Sequence, residues 1–200
     1  MSRFYLLKIT LKNIPCPVWR RFVVPANIKL DDLHRIIQTV MGWENSHLHS
    51  FKVGKQEYVP EEVLEYDDYG ALPEDEYTLD SVAPRKGSKI RYQYDFGDSW
   101  DHEIVVEDSN YVDPDQSHPY YCVNGAGACP PEDCGGAWGY ADFCESLTDP
   151  EHPDHEERKE WYGGEFDPKH FDTDEVNKGL GVKKKSPPTK KSTKKTQVAG

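Results

Sequence analysis

Ile90–Glu107 reads IRYQYDFGDSWDHEIVVE, two runs rich in Ile, Val, Tyr and Trp on either side of Gly97-Asp98-Ser99. Branched and aromatic side chains suit a pleated, half-buried surface, and the Gly/Asp/Ser cluster suits a tight reversal. The pattern predicts a β-hairpin with arms Lys89–Phe96 and Trp100–Glu107. Side chains alternate across a strand, so Asp101 and Glu103 point to one face and Trp100, His102 and Ile104 to the other. A fold containing this hairpin needs a core for one face and water for the other.

The rest of the chain supplies that core. Phe4–Lys12 alternates as a strand, Asn13–Pro17 turns it, and Val18–Val24 returns as a second strand. In Leu30–Met41, the residues Leu30, Leu33, Ile36, Ile37, Val40 and Met41 recur with helical spacing. Asp31 and Asp32 sit where the helix dipole favours anions, and Gly42 is placed to end the helix. Leu48–Val53 reads as a third strand. Glu57–Asp80 holds ten acids and no Lys or Arg, and reads as a surface excursion anchored by Tyr58, Tyr66, Tyr69 and Tyr77, with a helical turn at Thr78–Val82. Beyond Tyr120 a loop-rich stretch is expected up to Gly139. Short helices are expected at Tyr140–Leu147 and Asp154–Tyr162, and a last one opens on the capping box Asp172-Thr173-Asp174-Glu175. The class is α+β: a β-grasp-like mixed sheet (β-β-α-β…β-β), a short-helix C-terminal part, and a disordered basic tail.

Hydrophobic residues make up only 36% of the 200 residues, but twelve Tyr, seven Phe and five Trp enlarge what a thin core can bury. One domain, 1–180, with a tail at 181–200, fits that length. The net charge of −12 divides unevenly: from Lys178 onward there are eight Lys and no acid, so the preceding part carries −20. Such a body repels phosphate backbones, whereas the tail attracts them. No apolar run approaches a membrane span, and MSRFYLLKIT alternates like a strand rather than a signal peptide, so a cytoplasmic protein is expected. Five Cys is an odd count, which argues against a closed disulfide framework.

Three groups could carry chemistry. The hairpin residues Asp98, Asp101, His102 and Glu103 could hold a hard cation through oxygens, with His102 as a base; the favoured reading is that Asp95, Asp98 and Gly97 build the turn while Trp100 packs in the core. Cys122, Cys129 and Cys134, in a Gly/Pro-rich block, could hold zinc with Cys144, His118 or a distant His as fourth ligand, or remain free thiols. Cys16 reads as a buried small hydrophobe. Pro130-Pro131-Glu132-Asp133 could bring carboxylates to the same region. His47 and His49 share a face of the third strand and read as packing residues unless they line a cleft with His102. His152 and His155 flank Pro153 and read as an exposed helix start.

Four pieces, in order, resemble the plasmid pRiA4b ORF-3-like family: YDFGDSWDHEI (Tyr94–Ile104), CPPEDCGGAWGY (Cys129–Tyr140), the His152/His155 stretch, and WYGGEFDPKHFD (Trp161–Asp172). The resemblance implies membership of an uncharacterised group, some of whose members are labelled as insertion-element passenger or resolvase-like proteins. No Ser amid an Arg cluster supports recombinase chemistry here. Three functions are therefore expected in descending order. The first is an interaction module with a protein partner. The second is a metal-dependent, hydrolase-like enzyme using the hairpin and the Cys loop. The third is a nucleic-acid-associated accessory protein acting through the Lys clusters at 183–185, 190–191 and 194–195.

Overall fold

The computed structural model describes residues 3–66, 70–112 and 118–182. The proposed tail from Lys183 onward and the anchor Tyr69 lie outside those residues. A mixed sheet of eight strands in the order β5-β4-β3-β6-β7-β1-β2-β8 organises the chain. Its strands are β1 Phe4–Leu11, β2 Trp19–Pro25, β3 His49–Val53, β4 Gln56–Val59, β5 Leu72–Pro73, β6 Lys89–Tyr94, β7 Trp100–Tyr111 and β8 Tyr121–Ala126. All neighbours run antiparallel except β4 and β5.

Alternation sorts the two faces. Tyr5, Leu7 and Ile9 of β1, Ile90, Tyr92 and Tyr94 of β6, and Trp100, Ile104 and Val106 of β7 all point into the core. The opposite face is polar, with Arg91 paired to Asp101 and Lys89 to Glu103 on the hairpin, and Arg21 of β2 to Glu107. Exposed pairs of this kind contribute little individually, but they keep the face wet and the register fixed.

Helix α1, Leu30–Met41, covers the apolar face with the six side chains its periodicity marks, all buried. Burying aliphatic side chains contributes about 1.5–3 kcal/mol each, so this stripe is a main source of stability. Gly42 ends the helix in the left-handed region at φ 106°, its N–H donating to the Gln38 carbonyl. The helix has no basic residue in its last turn. Arg20 of β2 substitutes: its Nε donates to the Val40 carbonyl at 2.8 Å and its Nη1 to the Ala126 carbonyl at 2.8 Å. The guanidinium is buried and lies 4.6 Å from the Phe171 ring centre. Burial pushes its pKa down.

A polar network crosses the core beneath α1. His34 and His49 stack with ring centres 3.4 Å apart and planes 1° from parallel. His34 Nε2 donates to Asn45 Oδ1, and His34 Nδ1 accepts from the Tyr92 hydroxyl, which accepts from Gln38 Nε2. His49 Nε2 lies 2.8 Å from Glu74 Oε2, in a 3-10 turn at Glu74–Glu76. Burial pushes both imidazoles down to about 4 and Glu74 up to about 7. We therefore read the contact, despite its ion-pair distance, as a neutral hydrogen bond donated by the Glu74 carboxyl.

Four expectations need correction. The acidic excursion contributes strands β4 and β5 to the sheet and a helix α2 at Glu61–Leu64, while helix α3 at Leu79–Val82 stands where the helical turn was expected. The stretch after Tyr120 opens with β8, which pairs with β2. Helix α4 runs Gly136–Thr148, beginning before Tyr140. Helices α5, His155–Tyr162, and α6, Thr173–Gly179, follow, and Asp172 caps α6 by accepting from Asp174 N and Glu175 N. Asn177 of α6 closes part of the β8 edge, accepting from Cys122 N at 2.7 Å and donating to Cys122 O at 2.9 Å. Covering an edge this way blocks strand-to-strand aggregation. Cys16 is half-buried rather than enclosed.

Candidate functional site

The four hairpin residues do not share one site. Asp101 and Glu103 lie on the outer face, engaged with Arg91 and Lys89. His102 points the other way and is 1% exposed, with Nδ1 3.0 Å from the Trp100 carbonyl. A carbonyl only accepts, so Nδ1 carries the proton, and burial pushes the ring down to about 4. Asp98 Oδ2 accepts from Gly135 N at 3.1 Å. Alternation across β7 separates these groups, as the spacing implies.

Nor do the cysteines Cys122, Cys129 and Cys134 form a three-thiol ligand set. Among the described residues, the ligand atoms within 4.8 Å of one another in a group of three are those of His47, Asp95 and Asp133. Pairing of β8 with β2 fixes Cys122 in the sheet, its Sγ against the Arg21 and Asn124 carbonyls. Burial pushes Cys122 up to about 11, Cys134 up to about 12 and Cys129 well above the ordinary thiol value, so none is a ready thiolate nucleophile.

The hairpin turn and the Cys loop nevertheless meet. A Cβ on Gly136 would stand 2.5 Å from the Asp98 carbonyl oxygen, and its φ of +67° is left-handed, so only glycine fits this crossing. Beside it, Tyr94 Oη donates to Glu132 Oε1 at 2.9 Å and accepts from Ser46 N at 2.9 Å. Burial pushes the Tyr94 hydroxyl up, which keeps it a donor. Glu44 N donates to the same Glu132 oxygen at 2.8 Å. Asp95 Oδ1 accepts from Gly97 N.

These bonds leave one oxygen of each carboxylate facing His47. Its Nε2 lies 3.2 Å from Asp133 Oδ1, 3.7 Å from Glu132 Oε2 and 3.8 Å from Asp95 Oδ2. Both Nε2 of His47 and Oε2 of Glu132 are sealed from water without a hydrogen-bond partner. The sequence pointed to Glu132 and Asp133 as carboxylates for this region, but read Asp95 as a turn former and His47 as packing. The missed signal is Asp95-Phe96-Gly97, where an Asp that tolerates positive φ holds a turn with one oxygen and keeps the other free.

Against Glu132 opens a cleft of about 350 Å³, lined by Gly42, Glu44, Cys129, Pro130, Pro131, Trp161 and Tyr162. Trp161 and Tyr162 are 47% and 41% exposed, and both lean edge-on against Phe143 at 5.6 and 5.8 Å. A second hollow of about 340 Å³ lies on the outer face over Lys89, Arg91, Asp101 and Glu103. Four of its charged groups pair off, Lys89 with Glu103 and Arg91 with Asp101, and Lys12 lines the same hollow.

Among the described residues, no helix is long and apolar enough to cross a membrane. The chain is 39% identical over 177 residues to an uncharacterised protein, y4hQ, of Sinorhizobium fredii, covering 87% of this chain and 89% of that one. It is also similar to the crystal structure of a protein of unknown function from Methanosarcina mazei Go1, with 33% identity and a TM-score of 0.77, covering 88% of this chain and 98% of that one. The sequence profile of the plasmid pRiA4b ORF-3-like proteins matches residues 3–175, and the chain belongs to that family.

Proposed function

We propose that the protein is an interaction module that seats a cationic side chain of a protein partner in the cleft beside Glu132. The observation that carries this reading is the lining: two half-exposed aromatic rings and the exposed Glu44 carboxylate, with the acidic Glu132 in the wall behind and no Lys or Arg among the lining residues. Rings attract cations through their negative faces, and the acidic body draws a basic partner in. A phosphate backbone would meet carboxylates here, so any nucleic-acid contact is left to the lysines beyond Val182.

Titration of a Lys/Arg hexapeptide, followed by Trp fluorescence, tests the reading. Binding should weaken with salt, and Trp161→Ala should weaken it roughly 3–30-fold, the range expected for one cation–π contact. A Glu hexapeptide should not bind. Unchanged affinity in both Trp161→Ala and Glu44→Gln would sink the proposal. The lysines beyond Val182 carry the same chemistry, so tighter binding by a chain ending at Val182 would show that they compete for this cleft.

A further inference from the structure

We infer that His47, Asp95, Glu132 and Asp133 form a binding site for one divalent first-row transition-metal ion. Ligand atoms of His47, Asp95 and Asp133 lie within 4.8 Å of one another, brought together by the lead-in to β3, the hairpin turn and the Cys loop, and Glu132 Oε2, 3.7 Å from His47 Nε2, stands beside this trio as a fourth donor. The inference does not rest on the cleft reading, although Glu132 borders both.

Distance is the first argument. Ligands sharing an ion at about 2.0–2.2 Å stand about 3.0 Å apart in an octahedron and about 3.4 Å apart in a tetrahedron. The three carboxylate oxygens lie 3.2, 3.7 and 3.8 Å from Nε2. The two longer gaps exceed a hydrogen bond, so the protein alone does not satisfy this imidazole.

The second argument is independent of spacing. His47 Nε2 and Glu132 Oε2 are both cut off from water, and neither makes a hydrogen bond, although Nε2 lies within ion-pair distance of Asp133. Leaving such atoms unpaired is unfavourable, and both point into the same space. A cation there would satisfy them together. The other oxygen of Glu132 is already held by Glu44 N and Tyr94 Oη, and that of Asp95 by Gly97 N. Outer partners of this kind orient ligands towards an ion.

The donor types narrow the choice of metal. An imidazole nitrogen among carboxylate oxygens suits manganese or zinc better than calcium or magnesium, which prefer oxygen alone. Asp133 is largely exposed, its side chain 73% accessible, so the ion would meet solvent on that side and keep positions open for water or an incoming donor.

Chelator-treated full-length protein should take up one manganese ion per chain, followed by the loss of the free-manganese paramagnetic resonance signal, and zinc should displace it. His47→Ala and Asp95→Asn should each weaken uptake at least ten-fold. Asp133→Asn, at an exposed position that folding does not need, should do so with an unchanged melting temperature. Cys129→Ser and Asp101→Asn should bind as the parent does. No stoichiometric uptake at millimolar manganese would overturn the inference, as would uptake indifferent to His47→Ala and Asp133→Asn. Trp161→Ala should leave manganese uptake intact while weakening the basic peptide, which separates failure of this site from failure of the cleft.

Discussion

Arg20→Met is expected to cost about 3–5 kcal/mol of folding stability, the sum for several buried carbonyls left without donors at about 1–3 kcal/mol each, less some relaxation. The guanidinium serves the Val40 carbonyl at the end of α1 and the Trp19 and Ala126 carbonyls across the β2–β8 pair, at 2.8, 2.9 and 2.8 Å, and a weaker contact reaches Met41. Methionine matches the volume and supplies no hydrogen. Lysine keeps the charge but lacks the planar fork, so Arg20→Lys should recover only part of the loss. Urea denaturation should show the midpoint falling with little change in slope, and the melting temperature should drop by roughly 10 °C. A loss below about 1 kcal/mol would mean that water reaches these carbonyls, and the account of α1 termination would fail.

Acidification is expected to have a comparable effect. His34, His49 and His102 sit at about 4 in the folded chain, burial being the first cause of each shift. The unfolded chain takes up these protons near pH 6.5, so the stability they contribute is complete above 6.5 and is lost as pH falls towards 4. Glu74, raised to about 7, runs the other way: its contribution is complete below its unfolded pKa near 4.5 and is lost as pH rises through 7. Between pH 6.5 and 4.5 the unfolded state therefore binds three more imidazole protons and one fewer carboxyl proton. The net slope is roughly 2–3 kcal/mol per pH unit in favour of unfolding on the acid side. Thermal melts at pH 7, 6 and 5 should fall steeply, and His34→Gln with His49→Gln should flatten the slope. A melting temperature constant from pH 7 to pH 5 would be incompatible with neutral, stacked imidazoles.

The sequence was most legible where one element carries its own periodicity. Helix α1 is found at the residues its apolar spacing marks, and the hairpin turns at Gly97-Asp98-Ser99 as composition suggests. Strand β8, YCVNGA, escaped because Cys, Asn and Gly have little intrinsic strand preference; its conformation comes from β2 beside it and Asn177 beyond it. The site escaped for a related reason. His47, Asp95 and Asp133 come from three separate stretches, and only the crossing of Gly136 over Asp98 shows that they face one another. Alternation in Trp100–Glu103, by contrast, already placed Asp101 and His102 on opposite faces.

The place of β1 has a consequence for biosynthesis. Lying between β2 and β7, Phe4–Leu11 cannot complete its pairing until the partners of Leu11 through Phe4, His102 to Tyr111, leave the ribosome. At about 5–20 residues per second, roughly a hundred further residues delay that step by about 5–20 s. Throughout that interval the apolar ribbon keeps one unzipped border, and an unpaired strand edge is where mispairing and aggregation begin.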